Sequence, residues 1–186
     1  MLTVSKSLKA YSIIEQKAGS NILLQGISGV LGFPFTILAD VGVVFSHYSP
    51  MINEIRNIYG LPDIDIKALR PIIEGCSSDI IADLIVDKIG GHIPVLGIPF
   101  NMMCAKAMTW RLGILFTMLS ARGLEVNTNN VKNATLLICK LFPQKKALTF
   151  SKPSVVIFEK LVNALEDESI EEFDNKVVRI LDSLND

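Results

Sequence analysis

A five-residue segment occurs twice in this 186-residue chain: Leu31-Gly-Phe-Pro-Phe35 returns as Leu96-Gly-Ile-Pro-Phe100. Each copy follows a short apolar run and opens a long, nearly uncharged segment, Pro34 to Gly60 in the first case and Pro99 to Gly123 in the second. A proline at a helix start loses nothing, because its missing N–H would have had no intrahelical acceptor there. Two such units predict two related apolar helical hairpins, with turns at Gly32 and Pro34 and again at Gly97 and Pro99. The expected fold is therefore an all-α helical bundle of two hairpins plus C-terminal helices. The expected division is a hairpin-repeat domain over 1–124 and a C-terminal helical appendage over 125–186 packed on it.

Charge sets the next limit. The formal net charge is −1, so the chain has no basic field to hold nucleic acid. Its mean hydropathy is +0.41. Only 20% of residues are charged, against about 25% in typical soluble domains. Either the helices are buried on most sides or part of the chain meets lipid. Cys76, Cys104 and Cys139 are odd in number and far apart, which reads as buried apolar residues in a reducing compartment. Met1 to Lys17 has charges spread through it and no continuous apolar core, so it is not a signal peptide. The expected location is the cytoplasm, or a peripheral or integral position at the cytoplasmic face of the inner membrane.

Along the chain, residues 3–18 read as an amphipathic helix with Val4, Leu8, Tyr11, Ile14 and Ala18 on one side, stopped by Gly19-Ser20. Asp40 is the sole charge between Lys17 and Glu54. That length would span a bilayer, but Gly26, Gly29, Gly32 and Pro34 interrupt it. A carboxylate at mid-membrane also costs about 2.5–3.5 kcal/mol on insertion scales. A hairpin fits better: a helix over 20–31, the turn, and a second helix ending at Gly60, kinked or divided at Pro50. Met51, Ile52, Ile55 and Ile58 form its apolar side, with Asn53, Glu54, Arg56 and Asn57 between them, and Asp63 or Asp65 can cap the helix after it. Residues 66–89 give a clean amphipathic pattern with Asp79, Asp83 and Asp87 on the outer face. Three aspartates on one face project in parallel rather than around an ion, which favours a solvated acidic face. Asn127 to Asn130 reads as a polar linker, with helices after it over about 131–142, 154–165 and 169–184.

Several of these stretches resemble a domain-of-unknown-function family associated with Era-like and dynamin-like GTPases, the family that includes YcjF. The likeness runs from Gly29 through Pro34, Asp40 and Met51 to Tyr59-Gly60. It continues in Leu69-Arg-Pro-Ile-Ile73, Ile93-Pro-Val-Leu-Gly97 and Ala107-Met-Thr-Trp-Arg-Leu-Gly113, and covers about residues 20–123. Phe33 to Asp40 is also similar to the Pro-x-Asp turn of EcsC-type proteins. The resemblance implies a helical, membrane-associated or membrane-proximal module, and it brings no catalytic residues. The chain carries no Gly-x-x-x-x-Gly-Lys-Ser/Thr loop, so a GTPase would be a partner supplied in trans.

Residue patterns that carry chemistry are sparse. His47 and His92 lack neighbouring ligands at metal spacing, no nucleophile elbow is present, and no cofactor is expected. The most suggestive charges are Asp40 in the first hairpin and Lys106 and Arg111 in the second, which would form a buried cluster if the hairpins packed face to face. Three roles fit this pattern. The first is a non-enzymatic module docking on a membrane surface, on a partner protein such as a GTPase or operon neighbour, or on both, with homo-oligomers allowed. The second is a soluble neutralising protein of the immunity type that uses the acidic face. The third is a ligand-binding protein or enzyme with a groove lined by Met102, Met103, Trp110 and Phe116.

Overall fold

The structure is a computed structural model that describes residues 5–30, 41–65, 67–68, 94–132, 134 and 151–163, with side chains at 5–20, 47–65, 67–68, 106–132, 134 and 151–162. Four helices organise them: α1 (Lys6–Val30), α2 (Val41–Ile58), α3 (Pro94–Ala121) and α4 (Val155–Asn163). No strand occurs among the described residues, and the fold is all-α. Residues 128–132 add a further helical stretch.

α3 is the centre. Every residue from Ala107 to Ser120 is buried, on all sides of the helix. A helix that is apolar all round must be sheathed by others, and α1, α2 and α4 each pack against it. α1 has one buried side, Ser7, Ala10, Tyr11, Ile14 and Ala18, at the three- and four-residue spacing that puts side chains on one face. That face meets α3. The approach is close because Gly113 has no side chain: a Cβ built there would lie 2.6 Å from Ile14 Cδ1 and 2.9 Å from Ile14 Cγ2. Thr117 folds its hydroxyl back onto the Gly113 carbonyl at 2.7 Å, so this seam also keeps its polar atoms paired.

α2 runs antiparallel to α1 along its flank. Lys6 Nζ lies 5.7 Å from the Tyr59 ring centre at one end, and Lys17 Nζ lies 5.8 Å from that of Tyr48 at the other. On the opposite flank, residues 151–163 run back along α1. Lys152 pairs with Glu15, the Tyr11 hydroxyl donates to the Pro153 carbonyl at 3.0 Å, and Ser5 and Ser7 both donate to Glu159 Oε1 at 3.0 and 3.1 Å. Phe158 sets its ring edge-on to Tyr11 at 5.3 Å, and Trp110 closes the triangle at 4.9 Å from Tyr11. Val131, Ala134, Phe158, Leu161 and Val162 share one core with α1, α2 and α3, so buried contacts cross position 124.

Local chemistry sets the helix ends. Ser5 caps α1 by accepting the Leu8 N–H at 3.2 Å, and Ser154 caps α4 through the Ile157 N–H at 3.3 Å. Gly60 and Gly123 close α2 and α3 in the left-handed conformation, at φ of +79° and +60°. Both make the paired bonds of a Schellman motif: Gly60 N to Asn57 O with Leu61 N to Arg56 O, and Gly123 N to Ser120 O with Leu124 N to Leu119 O. Asp65 caps the next turn by accepting the Lys67 N–H at 3.0 Å.

Several expected boundaries move. α1 does not stop at Gly19-Ser20: it runs on to Val30, and Ser20 bonds back to the Lys17 carbonyl. A glycine inside a helix costs about 1 kcal/mol, too little to end one whose later turns are apolar. Pro50 neither divides nor ends α2, because Tyr48, Met51 and Ile52 on either side of it are anchored in the core. Gly97 and Pro99, expected in the second turn, are helical. α3 opens five residues earlier, at Pro94, so the upstream proline takes the position where no backbone bond is lost. Asn127 is not linker but a cap, accepting the Asn130 N–H at 2.9 Å, and helical residues begin at 128. Gly32 and Pro34 lie outside the described residues, as does the helix expected over 169–184.

The α1–α3 seam predicts a background-dependent penalty. Gly113→Ala is expected to lower unfolding free energy by about 1–3 kcal/mol through overpacking. In an Ile14→Ala background, where the clashing carbons are gone, the same change should be neutral or stabilising. Chemical denaturation of the four proteins checks this, and an equal penalty in both backgrounds would count against the seam.

Candidate functional site

The residues nominated from the sequence do not gather at one place among those described. Lys106 and Arg111 both stand on α3, but five residues of helix rotate one from the other by about 140°. Lys106 is half-buried, whereas Arg111 is 1% exposed and engaged within the fold. Asp40, Asp79, Asp83, Asp87 and His92 lie outside the described residues. The groove expected beside α3 is not lined by Trp110 and Phe116: both are 1% exposed and form core, with Met108 and Met118 beside them. Their burial reflects the sheathing of α3 on every side, which its largely apolar sequence permits in either setting.

Polar side chains do converge where α1, α2 and α3 meet. Tyr48 is buried in α2, and its hydroxyl pairs with Thr109 Oγ1 of α3 at 3.1 Å. Thr109 is also fully buried, so this pair satisfies two groups that would be costly if left without partners. His47 lies edge-on to Tyr48, ring centres 5.1 Å apart, and Lys17 reaches the same ring from α1. Burial holds the His47 imidazole below its ordinary value, and the neighbouring Lys17 charge pushes it the same way. Burial likewise lowers the Lys17 ammonium.

A second polar knot holds the loop after α2. Asn53 accepts the Ile64 N–H at 2.9 Å and Arg56 Nε donates to the Pro62 carbonyl at 2.8 Å. The sequence puts Arg56 on the polar side of its helix, yet it is 7% exposed. Its guanidinium is drawn in to cover the backbone of a turn, and burial lowers its affinity for the proton while Asp63 opposes that. No grouping of three His, Cys, Asp or Glu suited to a metal occurs among the described residues. What the assembled polar groups can do chemically is tie helices and loops together and present a fixed surface.

Of the residues at the corner, Tyr48 carries the one legible signal. It falls three, four and seven positions before Met51, Ile52 and Ile55, extending their core stripe by a turn. Thr109 has no such signal, because a buried threonine inside an apolar helix reads like any small residue until its partner is known. Within the Ala107-to-Gly113 motif, the structure gives Thr109, Trp110 and Gly113 packing roles: the Tyr48 pair, the aromatic triangle and the Ile14 contact. No family model matches the chain, and neither does any curated protein or solved structure.

The Tyr48–Thr109 pair predicts energetic coupling between α2 and α3. In a cycle of Tyr48→Phe, Thr109→Val and the double variant, the coupling energy should be about 1 kcal/mol, the usual worth of a buried neutral hydrogen bond. Strictly additive losses in denaturant melts would show that the hydroxyls do not act together.

Proposed function

We propose that the chain is a non-enzymatic helical module that docks on a membrane surface, on a partner protein, or on both. One observation carries this role: several polar side chains buried or half-buried among the described residues serve as ties between elements. Tyr11 holds Pro153, Tyr48 holds Thr109, Asn53 and Arg56 hold the 61–65 turn, and Ser5 and Ser7 hold Glu159. A reaction centre needs several polar groups aimed at one open space. A docking module needs a rigid frame, and these ties supply one.

The lipid half of the role rests on composition: an apolar fraction of 49% with a charged fraction of 20%. No helix among the described residues is long and apolar enough to cross a membrane. Attachment at the surface is therefore the form of lipid contact proposed. A GTPase acting in trans as the protein partner rests on the family resemblance alone.

Vesicle flotation tests the lipid half. The purified full chain, mixed with vesicles of phosphatidylethanolamine and phosphatidylglycerol, is expected to float with the lipid and to be stripped by alkaline carbonate, as a surface-bound protein is. Recovery entirely in the lipid-free fraction at low salt would remove membrane docking and leave protein partners alone.

A further inference from the structure

We propose that the outer face shared by α1 and α4 is the side of the molecule that lies on an anionic lipid surface, with Lys9 and Lys160 at the headgroup phosphates and Val156 set among them. The two helices run side by side: Lys152 meets Glu15 at one end, and Glu159 receives Ser5 and Ser7 at the other. Ser5, Lys9, Ser12, Gln16 and Ser20 recur at three- and four-residue spacing and are all exposed, so they form the outward side of α1. On α4, Val156 and Lys160 stand four residues apart on the exposed side. Val156, at 61%, is the one large apolar side chain exposed among the described residues. Lys160 directly follows Glu159, the partner of Ser5, and Lys9 lies one turn on from Ser5. Both cations therefore occupy the same end of this face.

Charge selects the partner. Residues 5–20 and 151–162 carry five lysines against two glutamates, in a chain whose formal net charge is −1. Both glutamates are engaged, Glu15 by Lys152 and Glu159 by the two serines. Lys6 and Lys17 turn to tyrosine rings on the α2 flank. Lys9 and Lys160 are exposed and form no ion pair among the described residues. Residues 47–65 carry the opposite balance: Glu54, Asp63 and Asp65 are exposed, and the one cation, Arg56, is buried. An anionic surface attracts the first side and repels the second, which sets how the molecule lies on it. Beyond Ser20, α1 continues to Val30 through ten residues without a charge. That continuation favours a lipid surface over an acidic protein, which would gain nothing from uncharged turns. The assignment rests on the docking role proposed above and names the side that performs it.

Flotation of the full chain with phosphatidylethanolamine and phosphatidylglycerol vesicles at low salt tests it. A Lys9→Gln/Lys160→Gln double variant is compared with Lys67→Gln/Lys132→Gln, which removes the same charge from exposed positions elsewhere. All four lysines are exposed, so denaturant midpoints read from Trp110 fluorescence should match the wild type in both. The first double should lower vesicle partitioning about 25-fold, at about fivefold for each lysine near an anionic surface, and the second should leave it nearly unchanged. Fluorescence of Val156→Trp should shift to the blue when vesicles are added, against a wild type whose Trp110 is already buried. Equal partitioning of the two doubles, or wild-type flotation as strong with phosphatidylcholine alone, would overturn this face and leave the docking role standing. Wild type that stays in the lipid-free fraction would remove the membrane role and this face together.

Discussion

The close approach of α1 to α3 at Gly113 sets where everything else can sit. Ile14, fully buried, lies across bare helix backbone, so the two helices form a tight spine. Interiors pack at crystal-like density, and a spine of this kind shapes the grooves on either side. α2 fills one groove and residues 151–163 fill the other. Tyr11, one turn before Ile14, and Trp110, one turn before Gly113, are brought edge-to-face by the same approach, which creates the slot that Phe158 occupies. Thr109, a turn before Gly113, is in turn placed to receive Tyr48. One missing side chain thus sets the register of four helices.

Polar groups inside this frame do a different job from the apolar ones. Burial of side chains such as Ile52, Ile55, Leu115 and Phe116 drives association without direction, at roughly 1.5–3 kcal/mol for each large residue. Tyr48–Thr109, Tyr11–Pro153 and Arg56–Pro62 add direction, since each can form in one arrangement only. An apolar helix such as α3 could rotate about its own axis with little change in area buried. Hydrogen bonds to Thr109 and the steric notch at Gly113 remove that freedom.

Charge is distributed unevenly over the same frame. On the α1–α4 flank Lys152 pairs with Glu15, and Glu159 accepts hydrogen bonds from two serine hydroxyls. On the α1–α2 flank, lysines rest on tyrosine rings instead of carboxylates, at Tyr59 and at Tyr48. A cation held over a ring is attracted by the ring quadrupole without being neutralised.

Much of the helical framework was legible in the residue pattern, because helix faces and ends are local events. The stripe Tyr11, Ile14, Ala18 and the stripe Met51, Ile52, Ile55 both point inward as their spacing demands. Gly60 as a cap reflects its freedom to adopt a left-handed backbone after a polar turn. Where local signals competed, the sequence misled: Gly19 resembles a stop and Pro99 a start, but a continued helix or an earlier proline was available and lower in free energy. Of the candidate charge cluster, Lys106 and Arg111 lie about 140° apart around α3, and Asp40 lies outside the described residues. The sequence by itself determined that the described residues are helical, where the buried stripes of α1 and α2 lie and that Gly60 ends a helix. Only the tertiary structure decided that Gly113 meets Ile14, that Tyr48 meets Thr109 and that Arg56 turns inward to a loop carbonyl. Those contacts depend on how separate segments come together, and no periodicity within one helix carries information about the shape of its neighbour.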